Sequence, residues 1–203
     1  MNTFSINVML FLLTGSLSEC YAQSSGIVSQ KDTIELADPT IFYDKGEYYL
    51  YGTGSASGFP VYTSKNLTDW KIPGKTKDGL ALTKGNSYGT GGFWAPQIFK
   101  YKKMYYMAYT ADENIAIAKS KSPLGPFKQT VITKVSGKHK QIDPYVFIDD
   151  DGSKYLYHVE LNNGNRIYVS KLKDDLSDVI PGTEIECISG ELGWENTANQ
   201  SGR

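Results

Sequence analysis

Two aspartates stand in matching contexts far apart in this sequence. Asp38 lies in Leu36-Ala37-Asp38-Pro39-Thr40-Ile41 and Asp143 in Ile142-Asp143-Pro144-Tyr145, 105 residues further on. Each is followed by proline and then by β-branched and aromatic residues. If both open the same strand of a repeated module, their carboxylates can face one polar pocket. Paired carboxylates several ångströms apart are what acid–base cleavage of a glycosidic bond requires. An Asp-Pro pair can also simply start a strand, with Asp capping a turn. A third copy, Ala95-Pro96-Gln97-Ile98-Phe99, weakens that reading, because the turn there manages without Asp. Trp94, reached through Gly89-Thr90-Gly91-Gly92-Phe93, is the remaining candidate. A flexible glycine-rich turn could present its indole for a sugar ring to stack on, or the indole could pack in the core. The run lacks the Gly-Lys-Ser/Thr ending of a phosphate loop.

Positioning these residues is the work of a repeat. Asp38-Pro39, Ala95-Pro96 and Asp143-Pro144 each lead into an aromatic strand, and their prolines are 57 and 48 residues apart. A Tyr-rich second strand follows each time: Glu47-Tyr48-Tyr49-Leu50-Tyr51, Met104-Tyr105-Tyr106-Met107-Ala108-Tyr109 and Lys154-Tyr155-Leu156-Tyr157. Turn signals such as Asp44-Lys45-Gly46, Asp151-Gly152 and Asn163-Gly164 divide the strands. A period near 50 residues holding about four short strands is the signature of a propeller blade. The sequence therefore predicts an all-β chain with blades at about 35–90, 91–138 and 139–190, an incomplete arc of about three. Most of the tyrosines are expected to pack between blades. A plain β-sandwich with coincidental spacing is the competing architecture.

Composition agrees with this and excludes other classes. The 203 residues hold 21 Lys+Arg against 22 Asp+Glu, a balance with no basic stripe for nucleic acid. Fifteen Tyr and 20 Gly favour aromatic strands joined by tight turns over long helices. The run Val8-Met9-Leu10-Phe11-Leu12-Leu13 is too short to span a bilayer but suits the core of a secretory signal occupying 1–22, although no basic residue precedes it. Cleavage after Ala22 would export the chain to a periplasmic or extracellular location. It would also remove Cys20 and leave Cys187 with no disulfide partner. His139, His158 and Cys187 are dispersed, which argues against a zinc site, and no cofactor or metal is expected.

The ordered set of motifs resembles the family 43 glycoside hydrolases, five-bladed β-propellers acting on arabinose- and xylose-containing glycans. The matching stretches are the Asp38 and Asp143 segments, Ser64-Lys65-Asn66-Leu67-Thr68-Asp69-Trp70, Phe93-Trp94-Ala95-Pro96-Gln97-Ile98, and Ser120-Lys121-Ser122-Pro123-Leu124-Gly125-Pro126-Phe127. They span about 35–195. The resemblance implies that Asp38 is the general base activating water and that Asp143 tunes the pKa of the general acid and orients it. It places Trp94 beside the sugar and implies hydrolysis by inversion of an oligo- or polysaccharide. The family's acid is a glutamate, usually in Glu-Gly-Pro opening the fourth blade. Gly193-Trp194-Glu195-Asn196 is similar to the segment just upstream, and Glu-Gly-Pro does not occur. The acid is thus expected outside these residues, with Glu195 the one candidate within them. Two other readings compete with this one. Glu186-Cys187 echoes the fructan hydrolases, but those carry Asn-Asp-Pro-Asn and Arg-Asp-Pro where this chain has Ala-Asp-Pro-Thr and Ile-Asp-Pro. A propeller fragment that binds carbohydrate without catalysis is the alternative from a different class.

Overall fold

Residues 33–162, 164–190 and 192–195 are described in a computed structural model. The expected signal segment 1–22 lies outside them.

Eleven strands among the described residues form three antiparallel sheets that follow one another along the chain. The first holds β1 (Ala37–Asp44), β2 (Glu47–Thr53), β3 (Gly58–Ser64) and β4 (Leu80–Thr83). The second holds β5 (Trp94–Tyr101), β6 (Met104–Ala111) and β7 (Asn114–Ser120). The third holds β8 (Lys140–Ile148), β9 (Lys154–Leu161), β10 (Asn165–Lys171) and β11 (Ile185–Ser189). The all-β expectation holds, and no sheet closes on itself. The middle unit departs from the expected four strands. Its outer position is reduced to one bridge, Lys119 to Lys128. Pro123 and Pro126 break the run between these two residues, and proline lacks the N–H a strand ladder needs.

Local chemistry fixes the hairpins. Asp44 pairs with Glu47 across a two-residue turn in which Lys45 (φ 52°) and Gly46 (φ 82°) are both left-handed. Ala111 and Asn114 close the β6–β7 turn in the same way over Asp112 (φ 49°) and Glu113 (φ 52°). Two consecutive positive φ angles match the right-handed twist of the flanking strands.

Alternation along β6 explains how the sheets stack. Tyr105, Met107, Tyr109 and Ala111 join one core cluster with Tyr51, Phe59 and Val61 of the first sheet. Ala108 and Tyr106, on the opposite face, join a second cluster with Val146 and Leu156 of the third sheet. Successive side chains point to opposite faces of a strand, so the middle sheet is covered on both sides. Its near-continuous apolar sequence follows from that. The outer sheets have one covered face each. Ile41 (54% exposed) and Tyr43 (57%) stand bare on β1, and Tyr145 (56%) and Phe147 (42%) on β8.

Polar groups buried at these contacts are mostly paired, Thr63 Oγ1 on β3 being an exception. The Tyr109 hydroxyl donates to the Tyr88 carbonyl at 2.7 Å and accepts from Ser87 Oγ at 2.8 Å. At the far end of the inner strands, Asp44 accepts hydrogen bonds from Lys100 Nζ (2.8 Å) and Tyr105 OH (2.7 Å), tying the first sheet to the second. The Lys100 bond, then the Tyr105 bond, hold the Asp44 carboxyl below its ordinary 3.8. Because the folded value is the lower one, the unfolded chain binds this proton more tightly. The stabilisation is therefore full above about pH 4 and is lost as pH falls through the folded value. Urea midpoints measured from pH 7 to pH 3 should fall more steeply at the acid end in the native sequence than in Asp44→Asn. The variant should also be the less stable of the two at pH 7.

Candidate functional site

The inner strands of the three sheets share one irregularity. Pairing slips between Ala37 and Thr40 on β1, between Trp94 and Gln97 on β5, and between Ile142 and Tyr145 on β8. Each slip is a β-bulge at an X-Pro step. The residue before proline is left-handed every time: Asp38 (φ 46°), Ala95 (φ 45°) and Asp143 (φ 56°). A non-glycine residue held there costs about 1–2 kcal/mol, and such strain concentrates at functional positions. Ala95 adopts the same backbone, so the bulge does not need a carboxylate. Asp38 and Asp143 add a carboxylate to a backbone device that the fold already has. Both are exposed at the same end of their strands, and β5 packs against both β1 and β8.

Threonines of the second strands brace the bulges, a role the sequence reading missed. Thr53 Oγ1 accepts the Ala95 N–H at 2.9 Å and donates to Asp38 Oδ2 at 2.8 Å. One hydroxyl thus orients the first carboxylate and anchors the next sheet's bulge. Thr110 Oγ1 accepts the Asp143 N–H at 2.9 Å in the same way. Thr53 stands across from Ala37 and Thr110 across from Trp94, so the two occupy one slot of the repeat. Aligning the three units at this slot, where the third has Val159, was the available signal. Gln97 adds a second tie between inner strands: its Oε1 accepts from Val146 N at 2.6 Å and its Nε2 donates to Val146 O at 3.1 Å.

Trp94 opens β5 half-buried, immediately before the Ala95 bulge. Its indole lies so close to Gly92 that a Cβ there would stand 3.3 Å from the ring, and Gly92 has φ 57°. The glycine-rich approach is held rather than loose, contrary to expectation. Asp112 accepts from Thr90 N (2.8 Å), Gly91 N (2.9 Å) and Thr90 Oγ1 (3.1 Å), and its own N–H donates to Gly91 O at 2.9 Å. The β6–β7 turn therefore fixes the loop leading to Trp94. Glycine here serves close approach to a neighbour: at Gly89 (φ 108°), a Cβ would fall 2.3 Å from the Ala111 side chain.

Residues 33–200 match the sequence profile described as glycosyl hydrolases family 43. The chain belongs to glycoside hydrolase family 43. A structure described as an endo-1,4-beta-xylanase from Bacteroides thetaiotaomicron is 40% identical with a TM-score of 0.71, over 79% of this chain and 55% of that one. An endo-arabinase structure from the same organism is 27% identical with a TM-score of 0.66, over 76% and 56%. A xylosidase/arabinosidase from Humicola insolens is 29% identical over 120 residues, 57% of this chain and 32% of its own length. This family-43 chain thus spans from a third to about half the length of these relatives.

Within this family-43 chain Glu195 lies beyond β11 in a short turn of its own. Its Oε2 accepts from Leu192 N at 3.0 Å while its own N–H donates to Leu192 O at 2.9 Å, closing a local turn. Glu186 is likewise engaged, accepting from Arg166 Nη1 at 2.9 Å and Tyr168 OH at 2.8 Å. Cys187 is exposed and free. No helix among the described residues is long and apolar enough to cross a membrane. A group able to hold a cation does exist, made of His158, Glu160 and Glu184 rather than of the dispersed His and Cys residues.

Proposed function

We propose that this chain is part of an exported, five-bladed propeller hydrolase that cleaves glycosidic bonds in arabinose- or xylose-containing polysaccharides with inversion. The observation that carries the reading is the repeated bulge, which puts Asp38 and Asp143 at one slot of a stacked repeat. The names of the relatives support arabinan and xylan as the substrate class. The bare apolar faces of the first and third sheets are where neighbouring blades would stack in the complete ring.

In the proposed mechanism Asp38, held by Thr53, takes a proton from the water that attacks the anomeric carbon. The leaving oxygen is protonated by an acid on the other side of the sugar, roughly 6.5–9.5 Å from the base in inverting enzymes. The proton donor is not assigned among the described residues. Asp143 lies near the acid, and its negative charge keeps that group protonated by like-charge repulsion. Trp94 supplies an apolar face for the sugar ring.

Real-time proton NMR of hydrolysis tests this reading. Aryl β-xyloside and aryl α-arabinofuranoside should give the inverted anomer first, with the other appearing only by mutarotation. A retained first product would overturn single displacement, and no release from either substrate or from native oligomers by the complete hydrolase that contains this chain would overturn the hydrolytic reading.

A further inference from the structure

His158 and Glu160 are two residues apart on β9, so both side chains leave the same face of the strand as Leu156. They are 2% and 1% exposed. The imidazole Nε2 stands 3.6 Å from Glu160 Oε1. Glu184, just ahead of β11, completes the group: one ligand atom from each of the three lies within 4.8 Å of the others. Gln141, opposite Glu160 in the β8–β9 register, brings its amide to the same spot. Its Nε2 is 3.1 Å from His158 Nε2 and 3.1 Å from Glu160 Oε1.

Among the described residues, lysine gives a counter-charge to only one of the two carboxylates in this cluster. Glu160 is buried, and among the described residues no lysine or arginine pairs with it. Arg166, its cross-strand neighbour on β10, is taken by Glu186 Oε1 at 2.9 Å and by Asn162 O at 3.0 Å. Lys138 reaches only Glu184, at 3.7 Å. A buried carboxylate without a cation is costly to keep charged. The imidazole is only weakly bonded on its other side: Nδ1 is buried without a well-formed hydrogen bond, and the backbone of Leu156 is the polar group that acts on the ring there. One neutral imidazole and two carboxylates match the charge of a divalent cation once the long Lys138–Glu184 contact gives way.

We propose that His158, Glu160 and Glu184 bind a first-row divalent cation of the zinc type, with Gln141 turning its amide to offer Oε1 as a further ligand. Two ligands about 2.1 Å from a tetrahedral zinc ion lie about 3.4 Å apart, close to the 3.6 Å between His158 and Glu160. The Glu184 carboxylate needs a shift of about an ångström to close the shell. Imidazole with carboxylates suits zinc, whereas calcium and magnesium favour more numerous, all-oxygen ligands. The bound ion pins the connection before β11 onto β9. Through Gln141 it also reaches β8 two residues ahead of Asp143. The site stands apart from the proposed hydrolysis and does not depend on it.

Calorimetric titration of the 203-residue chain with ZnCl2 tests the site, alongside Glu184→Gln, whose position at the cluster's solvent edge spares the core. The expected result is one saturable site in the native sequence, a dissociation constant at least about tenfold weaker in Glu184→Gln, and a zinc-dependent rise in melting temperature confined to the native sequence. Cobalt(II) should give visible d–d bands that the variant lacks. Absence of stoichiometric binding would overturn the proposal. So would equal binding by the variant, which would mark adventitious binding at exposed His139 or Cys187, or calcium or magnesium binding as tight as zinc.

Discussion

If Asp38 is the general base proposed above, Asp38→Asn in the complete hydrolase should lower turnover on aryl glycosides and on native oligomers by about 10²–10⁴-fold, the range lost when a positioned general base is removed. The amide is nearly isosteric, can still accept from Thr53 Oγ1, and leaves the bulge backbone unchanged, since even Ala95 adopts that conformation at its own bulge. The loss should therefore fall on kcat with KM little altered, because the base acts in the transition state rather than in ground-state binding. Thr53→Val is the companion variant. It removes both the bond that orients Asp38 and the acceptor of the Ala95 N–H, so it should lower kcat less than Asp38→Asn while also costing stability. Undiminished turnover in Asp38→Asn would remove Asp38 from the chemistry.

The largest effect on stability is expected at Phe59. Its ring is fully buried on β3, edge-on to Phe93 at 5.7 Å and to Tyr109 at 5.3 Å, so one side chain joins the first sheet to the second. Phe59→Ala should cost about 3–5 kcal/mol, from lost transfer energy and the cavity left behind. Against a typical domain stability of about 5–15 kcal/mol, that leaves little. Ile41→Ala, on the bare face of β1, should change the chain's stability by less than about 0.5 kcal/mol. Urea unfolding of the two variants, compared at constant m-value, checks the contrast. A large loss at Ile41 in the 203-residue chain would mean that this face is already covered.

The repeat was legible because its signals are local. The X-Pro step, the aromatic run after it and the Tyr-rich second strand recur within each unit, and they correspond to β1/β2, β5/β6 and β8/β9. The candidate carboxylates were legible for the same reason, since Asp38 and Asp143 share a position in that unit. What stayed hidden depends on contacts between units. Thr53 and Thr110 look like ordinary strand ends until the next sheet places an amide 2.9 Å from each hydroxyl. Asp112 reads as a turn residue, and only folding shows that its carboxylate holds the loop in front of Trp94. Along the sequence His158 stands far from the other histidine and the cysteines, whereas its neighbours in space are carboxylates delivered by the strand itself and by the connection to β11. The missing fourth strand of the middle sheet could have been anticipated from Pro123 and Pro126.

Titrating the isotope-labelled chain with xylobiose and with arabinobiose, and following amide and indole signals by NMR, tests most directly whether the two bulges serve one sugar. The account predicts that for at least one of these sugars the amides of Asp38 and Asp143 and the Trp94 indole N–H shift together and fit a single dissociation constant. Shifts confined to one bulge, or separate constants for Asp38 and Asp143, would contradict it.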